Sequence, residues 1–375
     1  MMKTCCLAFA IGVALVIAAG ALLADQGAPT KYTLTLDTRT MNMGFKIPNM
    51  PNMPNIPGLA DLNKPQRIIS GQANYPDKPQ EPIFVTVPDD LALANNQLVL
   101  HVFKPAPAPG GNGGNAPQAQ GPAKMKMKIS VYWNPETAKG PIVNELDIDT
   151  SKFRGGGRGP GGPRPAPNAF DLGNFDIEKM ASGAESKLPP KVVGQGQYTL
   201  NTGNITMPLN GFLPPIQVKT PESLADVNPA DGIDVTWEPV AGAKGYILFA
   251  NSVNMRGAAG EMEFTMWVST TVEPPQRVRA SYEQATTIDD DLKNGILLSP
   301  DTVSCKVPAG IFAPDKGTFN LQVIAVGQDY YDNQGGSTVV GKIRSTWQAM
   351  KMAGMGGMGM PAPPKPAQGD QDGAQ

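Results

Sequence analysis

The chain has 375 residues, a formal net charge of −2 and 41% hydrophobic residues. Because the charges are balanced and form no block, the sequence excludes the broad basic surface with which nucleic-acid-binding proteins attract phosphates. Glycine occurs 42 times and proline 38 times, which predicts substantial unstructured linker between folded parts. The length favours two domains.

The first 24 residues have the pattern of a secretory signal peptide. A basic start is followed by an uncharged apolar run from Cys5 to Ala24, and Ala19-Gly20-Ala21 has the form of a cleavage site. The alternative is an uncleaved anchor, because about 20 apolar residues can span a bilayer. The small residues at the end of the run favour cleavage. We therefore expect an extracytoplasmic protein (periplasmic, cell-surface or secreted), with no membrane span unless residues 1–24 are retained.

Residues 25–215 are predicted to form an N-terminal β domain. Tyr32, Leu34 and Leu36 alternate with polar residues, as in a half-buried strand. Only a weak helical pattern is present, near residues 172–186. The predicted strands of this half are 31–38, 66–73, 82–87, 97–103, 126–133, 141–149, 192–200 and 204–209.

Four low-complexity stretches rich in Pro, Gly, Ala or Met interrupt or follow the predicted domains. Such compositions bury too little apolar surface to offset the entropy lost on ordering. The arginines of the third stretch resemble RGG-type nucleic-acid segments, but they lack interleaved aromatic residues, so we interpret the stretch as a flexible linker. We expect disordered insertions at 41–64, 104–123 and 154–168, and a disordered tail at 349–375.

The C-terminal half has the clearest strand pattern. Ile233, Val235 and Trp237 alternate with polar residues, a turn with two glycines follows, and a new strand begins near Tyr246. The predicted strands of this half are 233–238, 245–250, 261–269, 302–307, 318–327 and 338–347.

This order of strands, with Trp237 and Tyr246 at its start, resembles a fibronectin type III domain over about residues 217–348. The resemblance implies an Ig-like β-sandwich and no particular activity. Two features depart from the family: Phe319 takes the place of the usual tyrosine of the sixth strand, and the connection 251–300 is unusually long. The whole chain also resembles exported bacterial hypothetical proteins with Pro/Gly/Met-rich linkers. We therefore predict an all-β fold of two β-sandwich-like domains, 25–215 and 216–348, joined and interrupted by long disordered Pro/Gly/Met-rich segments.

Residues suited to catalysis are scarce. After signal cleavage one histidine, His101, and one cysteine, Cys305, remain. A Ser–His–Asp triad would need His101 itself, and no phosphate-binding or dinucleotide-binding motif is present. We predict no enzymatic activity and no cofactor. A secreted hydrolase that uses a pair of carboxylates remains an alternative, because carboxylates are plentiful.

Methionine clusters suggest a second alternative. Thioethers suit Cu(I), and the tail methionines lie among glycines, where they are not expected to form a core. The candidate copper ligands are Met350, Met352, Met355, Met358 and Met360. The acidic run Asp289-Asp290-Asp291 and the pair Asp329 and Asp332 could bind calcium, but their spacing fits no defined calcium loop, which favours solvated loop charges.

The strand at 245–250 contains a conflict. If Tyr246, Leu248 and Ala250 face the core, Ile247 and Phe249 lie on the outer face, where a solvated sheet carries polar residues. An apolar outer face usually marks an interface. We predict that the insertion 270–300 or the N-terminal domain covers it. The predicted function is that of an exported, non-enzymatic structural or interaction module whose partner is a protein or another component of the cell envelope.

Overall fold

A computed structural model describes residues 31–42, 64–74, 83–102, 124–149, 180–183, 186–203, 205–256, 261–279, 281–282, 287–313 and 317–352. The predicted all-β class is confirmed. The strands are β1 (Lys31–Asn42), β2 (Gln66–Asn74), β3 (Ile83–Thr86), β4 (Gln97–Val102), β5 (Lys124–Trp133), β6 (Lys139–Asp149), β7 (Met180–Gly183), β8 (Ser186–Leu188), β9 (Gln195–Leu200), β10 (Thr206–Asn210), β11 (Val218–Thr220), β12 (Ile233–Trp237), β13 (Gly245–Arg256), β14 (Glu261–Val268), β15 (Ser304–Val307), β16 (Thr318–Val326), β17 (Tyr330–Gln334) and β18 (Ser337–Met352). Two short α-helices, Gln276–Arg279 and Ile288–Lys293, lie between β14 and β15.

The strands form one large and one small sheet. The large sheet has the order β10-β9-β3-β4-β7-β2-β1-β18-β16-β13-β14-β5-β6, with β8 beside β2 and β17 beside β18. The small sheet has the order β11-β12-β15. The described strands pair antiparallel, except that β1 lies parallel to β18 and β14 lies parallel to β5. The C-terminal strands β18, β16, β13 and β14 therefore lie in the middle of the large sheet, with N-terminal strands on both sides.

Strands β1 and β18 join the two halves of the chain. Their parallel pairing runs without a break from Lys31 opposite Thr338 to Asn42 opposite Ala349. Side chains reinforce the junction: the Thr346 hydroxyl donates to Asp37 at 2.9 Å. The predicted domains 25–215 and 216–348 thus contribute strands to one continuous sheet.

The small sheet packs against the central strands of the large sheet. Trp237 is buried together with Tyr246 and Leu321, since none of the three is more than 2% exposed and all belong to one hydrophobic cluster. The rings of Trp237 and Tyr246 lie 5.3 Å apart. The Tyr246 hydroxyl also accepts a hydrogen bond from the Val240 N–H at 2.9 Å. The strand alternation seen in the sequence therefore positions the core.

The opposite face of the central strands has its own hydrophobic cluster. It combines Ile247 and Phe249 from β13 with residues of the predicted insertion, whose share of the cluster is Val278, Tyr282, Ile288, Ile296 and Leu297. The predicted covering of the apolar outer face is confirmed, and the insertion supplies it. The cover is held in part by the Leu298 N–H, which donates to the Tyr246 carbonyl at 2.8 Å.

Strand β10, at one end of the large sheet, folds back onto β17 and β18. The side-chain amide of Gln334 donates to the Thr206 carbonyl at 2.9 Å and accepts from the Thr206 N–H at 3.2 Å. Gly341 permits this approach, because a Cβ there would lie 2.5 Å from the Met207 sulfur. This end of the sheet is therefore in contact with the middle of the same sheet.

Several predicted segments fall outside the described residues. They are the signal peptide 1–24, residues 43–63 of the first insertion, the insertions 104–123 and 154–168, and residues 353–375 of the tail. Strand β18 extends four residues beyond 348, to Met352. Where the sequence shows a weak helical pattern, the described residues form β7 and β8. In the described part of the chain, no helix is both long enough and apolar enough to cross a membrane.

Candidate functional site

The candidate copper ligands are only partly described. Met350 is half-buried in β18, opposite Asn320, and Met352 lies opposite Thr318 at the end of the same pairing. Met355, Met358 and Met360 lie outside the described residues. Among the described residues, His, Cys, Asp and Glu form no group of three or more that could hold a metal ion. Copper binding by the methionines stays a prediction.

The acidic run 289–291 divides into exposed and buried residues. Asp289 and Asp290 are exposed. Thr287 caps the Ile288–Lys293 helix, since its hydroxyl accepts from the Asp290 backbone N–H at 3.2 Å and donates to the Asp290 carboxylate at 2.7 Å. Asp291 is 0% exposed. The helix turns Asp291 towards the sheet because Ile288, one turn earlier, packs on the same side.

Asp291 is the centre of a polar group within the insertion, on its side towards the sheet. Arg277 donates to both carboxylate oxygens, at 2.5 Å and 3.3 Å, and the Tyr282 hydroxyl donates at 2.7 Å. Burial, and then the hydrogen bond to Asp291, raise the pKa of Tyr282, so its hydroxyl stays protonated and acts as a donor. A buried charge is tolerated when it is paired and hydrogen-bonded in this way.

Arg344 of β18 links this group to the sheet. Its guanidinium donates to the Tyr282 carbonyl at 2.6 Å and lies over the Tyr282 ring, 5.2 Å from the ring centroid. We call Arg277, Tyr282, Asp291, Asp329 and Arg344 the insertion cluster.

Asp329, between β16 and β17, is the fifth member. Burial raises the pKa of its carboxyl to about 7, although Arg344 and Lys342 act in the opposite direction. Its Oδ2 has almost no solvent access and no hydrogen-bond partner among the described residues. The structure thus brings Asp291 and Asp329, which are distant in sequence, to one cluster. Asp291 has no exposed surface to offer a substrate, so the two carboxyls do not form the open pair that glycoside hydrolysis requires.

The two residues that the sequence offered for nucleophilic or acid–base chemistry lie apart from this cluster. His101 lies in β4, opposite Ser182 of β7. Cys305 lies in β15 and packs partly against the main core. Burial raises the pKa of the Cys305 thiol to about 12, so it is protonated at neutral pH and is a poor nucleophile.

The β5–β6 hairpin forms the other end of the large sheet. Asn134 sets its turn, since it has φ of 77° and its side-chain oxygen accepts from the backbone N–H groups of Glu136 and Thr137, at 2.9 and 3.0 Å. The indole N–H of Trp267 donates to the Asn134 carbonyl at 3.3 Å. Because Trp267 is fully buried, the turn is anchored to the main core.

Charged residues alternate in sign across the last three strands. Lys126 of β5 lies opposite Glu261 of β14 on one side and Asp147 of β6 on the other. Two residues further along β5, Lys128 lies opposite Glu263 of β14 and Glu145 of β6. We call these six residues the charge ladder. Directly opposed charges of opposite sign stabilise neighbouring strands by about 0.2–1 kcal/mol per pair.

The ladder ends on the acidic row of β6. In the described residues β6 pairs with β5 on one side, and no strand lies on its other side. Glu145 and Val143 are exposed, Val143 by 45%. An open strand edge presents unpaired backbone N–H and C=O groups, which is a template for another strand. In the described part of the chain β6 is therefore an edge strand, and we call its unpaired side the β6 edge.

Comparisons of the chain with protein-family models, with curated proteins and with solved structures give no match.

Sequence reasoning missed both the insertion cluster and the β6 edge. The alternation of lysines at 124, 126 and 128 and of acids at 145, 147 and 149 is visible in the sequence. However, only the register shows that the two rows oppose each other. Nothing in the sequence indicates that Arg277 and Tyr282 meet Asp291, or that Arg344 meets Tyr282.

Proposed function

We propose that the chain is an exported, non-enzymatic structural or protein-interaction module that presents the β6 edge to a protein of the cell envelope or exterior. The observation that carries this proposal is the β6 edge at the end of a continuous sheet, where no other described strand pairs with the outer side of β6. The basic and apolar start of the sequence supports export.

The fixed geometry of the molecule supports a binding role. The β5–β6 hairpin pairs with β14 over eight residues, from Glu261 opposite Lys126 to Val268 opposite Trp133. Strand β14 in turn pairs with β13, whose two faces are covered by the main core and by the insertion. A surface held on packed strands loses little conformational entropy on binding, which favours affinity.

The two facing sheets also support the proposed fibronectin type III-like module. Strands β11, β12 and β15 pack against β13, β16 and β18 through one core. In place of a sixth-strand tyrosine, Phe319 is buried and packs edge-on against Phe312, with ring centroids 5.0 Å apart. Sandwiches of this kind serve many unrelated functions, so the binding role is argued from the edge and not from the fold.

Export can be tested with a reporter. Fusion of residues 1–30 to a phosphatase that is active only outside the cytoplasm should give phosphatase activity in bacterial cells. A fusion that lacks residues 1–24 should give none. Equal activity of the two fusions, or none from either, would contradict export by this segment.

Interaction can be tested by photo-cross-linking in living cells of the native host. A cross-linking amino acid at Val143 should give a discrete adduct with another protein. The matched control is Val99, which is 46% exposed but lies in β4, a strand paired on both sides. Absence of an adduct at position 143, or equal adducts at both positions, would contradict a binding role for the β6 edge.

A further inference from the structure

We propose that the β6 edge binds an extended segment of another protein that carries Lys or Arg at every second position and apolar residues between them. The segment would add to the large sheet as a strand next to β6. This inference rests on the proposed interaction function and specifies the chemistry of the partner.

The charge ladder favours basic residues in the bound segment. Each of its two lysines, Lys126 and Lys128, has an acidic residue opposite on both neighbouring strands. The acidic residues of β6 have a lysine opposite on the β5 side, and no strand lies on their other side in the described residues. A basic residue at the matching position of a fourth strand would continue the alternation, whereas an acidic residue would face a like charge.

The reverse face of the same strands favours apolar residues between the basic residues of the segment. Met262 and Phe264 of β14 lie opposite Met127 and Ile129 of β5. Ile129 is buried, and the other three are half-buried. Successive residues of a strand point to opposite faces. A segment that places basic residues beside the ladder therefore places its intervening residues on the reverse face, next to Ile142 and Asn144 of β6 and in line with this apolar face.

The length of the segment follows from the backbone of β6. Pro141 has no N–H and marks the end at which pairing can begin. Residues 142–149 remain as the described edge beyond it. A segment of about eight residues would pair along this length, as in other cases where a peptide extends a sheet.

A second copy of the chain fits the edge less well. If two β6 strands pair antiparallel over their full length, 139–149, Glu145 lies opposite Val143 and Asp147 lies opposite Pro141. These two carboxylates then gain no cation, and of the acidic row only Asp149, opposite Lys139, gains one. A foreign basic segment pairs both of them.

The experiment uses the full chain without residues 1–24 and three synthetic peptides of equal length. One alternates Lys and Val, one contains the same residues with the lysines in a block, and one alternates Glu and Val. Fluorescence anisotropy at low salt should show binding of the alternating Lys peptide at least about tenfold tighter than of either other peptide. The binding should weaken as salt is added, because exposed charges are screened.

Two double variants locate the binding. Glu145→Lys with Asp147→Lys should reverse the preference, so that the alternating Glu peptide binds more tightly. The matched control, Glu136→Lys with Asp289→Lys, makes the same change of charge at exposed positions away from the ladder, and it should retain the original preference. Circular dichroism checks that both variants are folded. In the alternating Lys peptide, every second backbone N–H would point towards β6. Methylation of these nitrogens should abolish binding, because it removes the N–H groups that donate to β6.

Other results would overturn the inference. Equal binding of the alternating and blocked Lys peptides would indicate attraction by net charge alone. Binding of none of the peptides would indicate that the acidic row only protects an edge, and a dimer in sedimentation that Glu145→Lys dissociates would indicate a second copy as the occupant. A discrete cross-link at position 143 to a protein without an alternating basic segment would retain the interaction function and still overturn this inference.

Discussion

Replacement of Asp329 by asparagine tests the buried insertion cluster. In the folded chain burial raises the pKa of Asp329 from 3.8 to about 7, with Arg344 and Lys342 opposing the shift. The folded state therefore binds this proton more tightly than the unfolded state does. The resulting stabilisation is complete below about pH 4 and is lost as the pH rises through about 7. Asparagine has nearly the same shape and carries no charge, so Asp329→Asn removes this pH dependence.

The magnitude follows from the difference between the two pKa values. A rise of the pKa from 3.8 to about 7 corresponds to about 4 kcal/mol as an upper bound. Because Asp329 is only half-buried as a residue, solvent screening lowers this value, and we expect about 2 kcal/mol. At pH 8 the Asp329→Asn variant should be more stable than the unchanged chain by about this amount, and near pH 4 the two should be similar.

The assay is urea unfolding at pH 4.5, 6 and 8, followed by tryptophan fluorescence. Asp289→Asn is the matched control, since Asp289 is exposed on the neighbouring helix, and its profile should follow that of the unchanged chain. If Asp329→Asn also gives a profile parallel to the unchanged chain, the carboxyl titrates near its ordinary pKa, and the reasoning about its burial is refuted.

Three further substitutions test the fold. Trp237→Ala should lower the free energy of unfolding by about 3–5 kcal/mol, because it removes a large aromatic side chain from the core; an unchanged urea midpoint would contradict the sandwich core. Phe249→Ala should cost about 3–5 kcal/mol and increase the binding of a hydrophobic dye, whereas Val99→Ala, at an exposed site, should do neither. Gly317→Ala should cost more than about 1 kcal/mol, because φ is +80° and the new Cβ would clash with the Val253 carbonyl oxygen. Thermal unfolding of Gly317→Ala at the unchanged midpoint would contradict the described turn.

Much of the secondary structure is predictable from the sequence. The alternation of Tyr32, Leu34 and Leu36 with polar residues gives β1, and the similar pattern of Ile233, Val235 and Trp237 gives β12, because one buried face imposes a two-residue period on a strand. The covering of Ile247 and Phe249 could also be predicted, since apolar residues on both faces of β13 require burial on both faces. The strands with weak alternation, such as β7 and β11, were missed.

The candidate site was predictable only in part. Asp289, Asp290 and Asp291 form one acidic run in the sequence, yet the first two are exposed and the third is fully buried. The difference depends on Arg277 and Tyr282, which supply the hydrogen bonds that make burial of Asp291 tolerable. Their positions follow from the packing of the insertion on the sheet, so local composition does not contain this information.

The sequence by itself determined the all-β class, most strand positions and the need for a cover over β13. Only the tertiary structure decided which strands are neighbours, including the parallel pairs β1–β18 and β14–β5. The physical reason is that backbone N–H and C=O groups are the same in every residue, so a strand edge carries almost no record of its partner. The partner is chosen by side-chain packing between segments far apart in the chain. The same choice sets Lys126 and Lys128 between two acidic rows and leaves the last row, on β6, at the edge of the sheet.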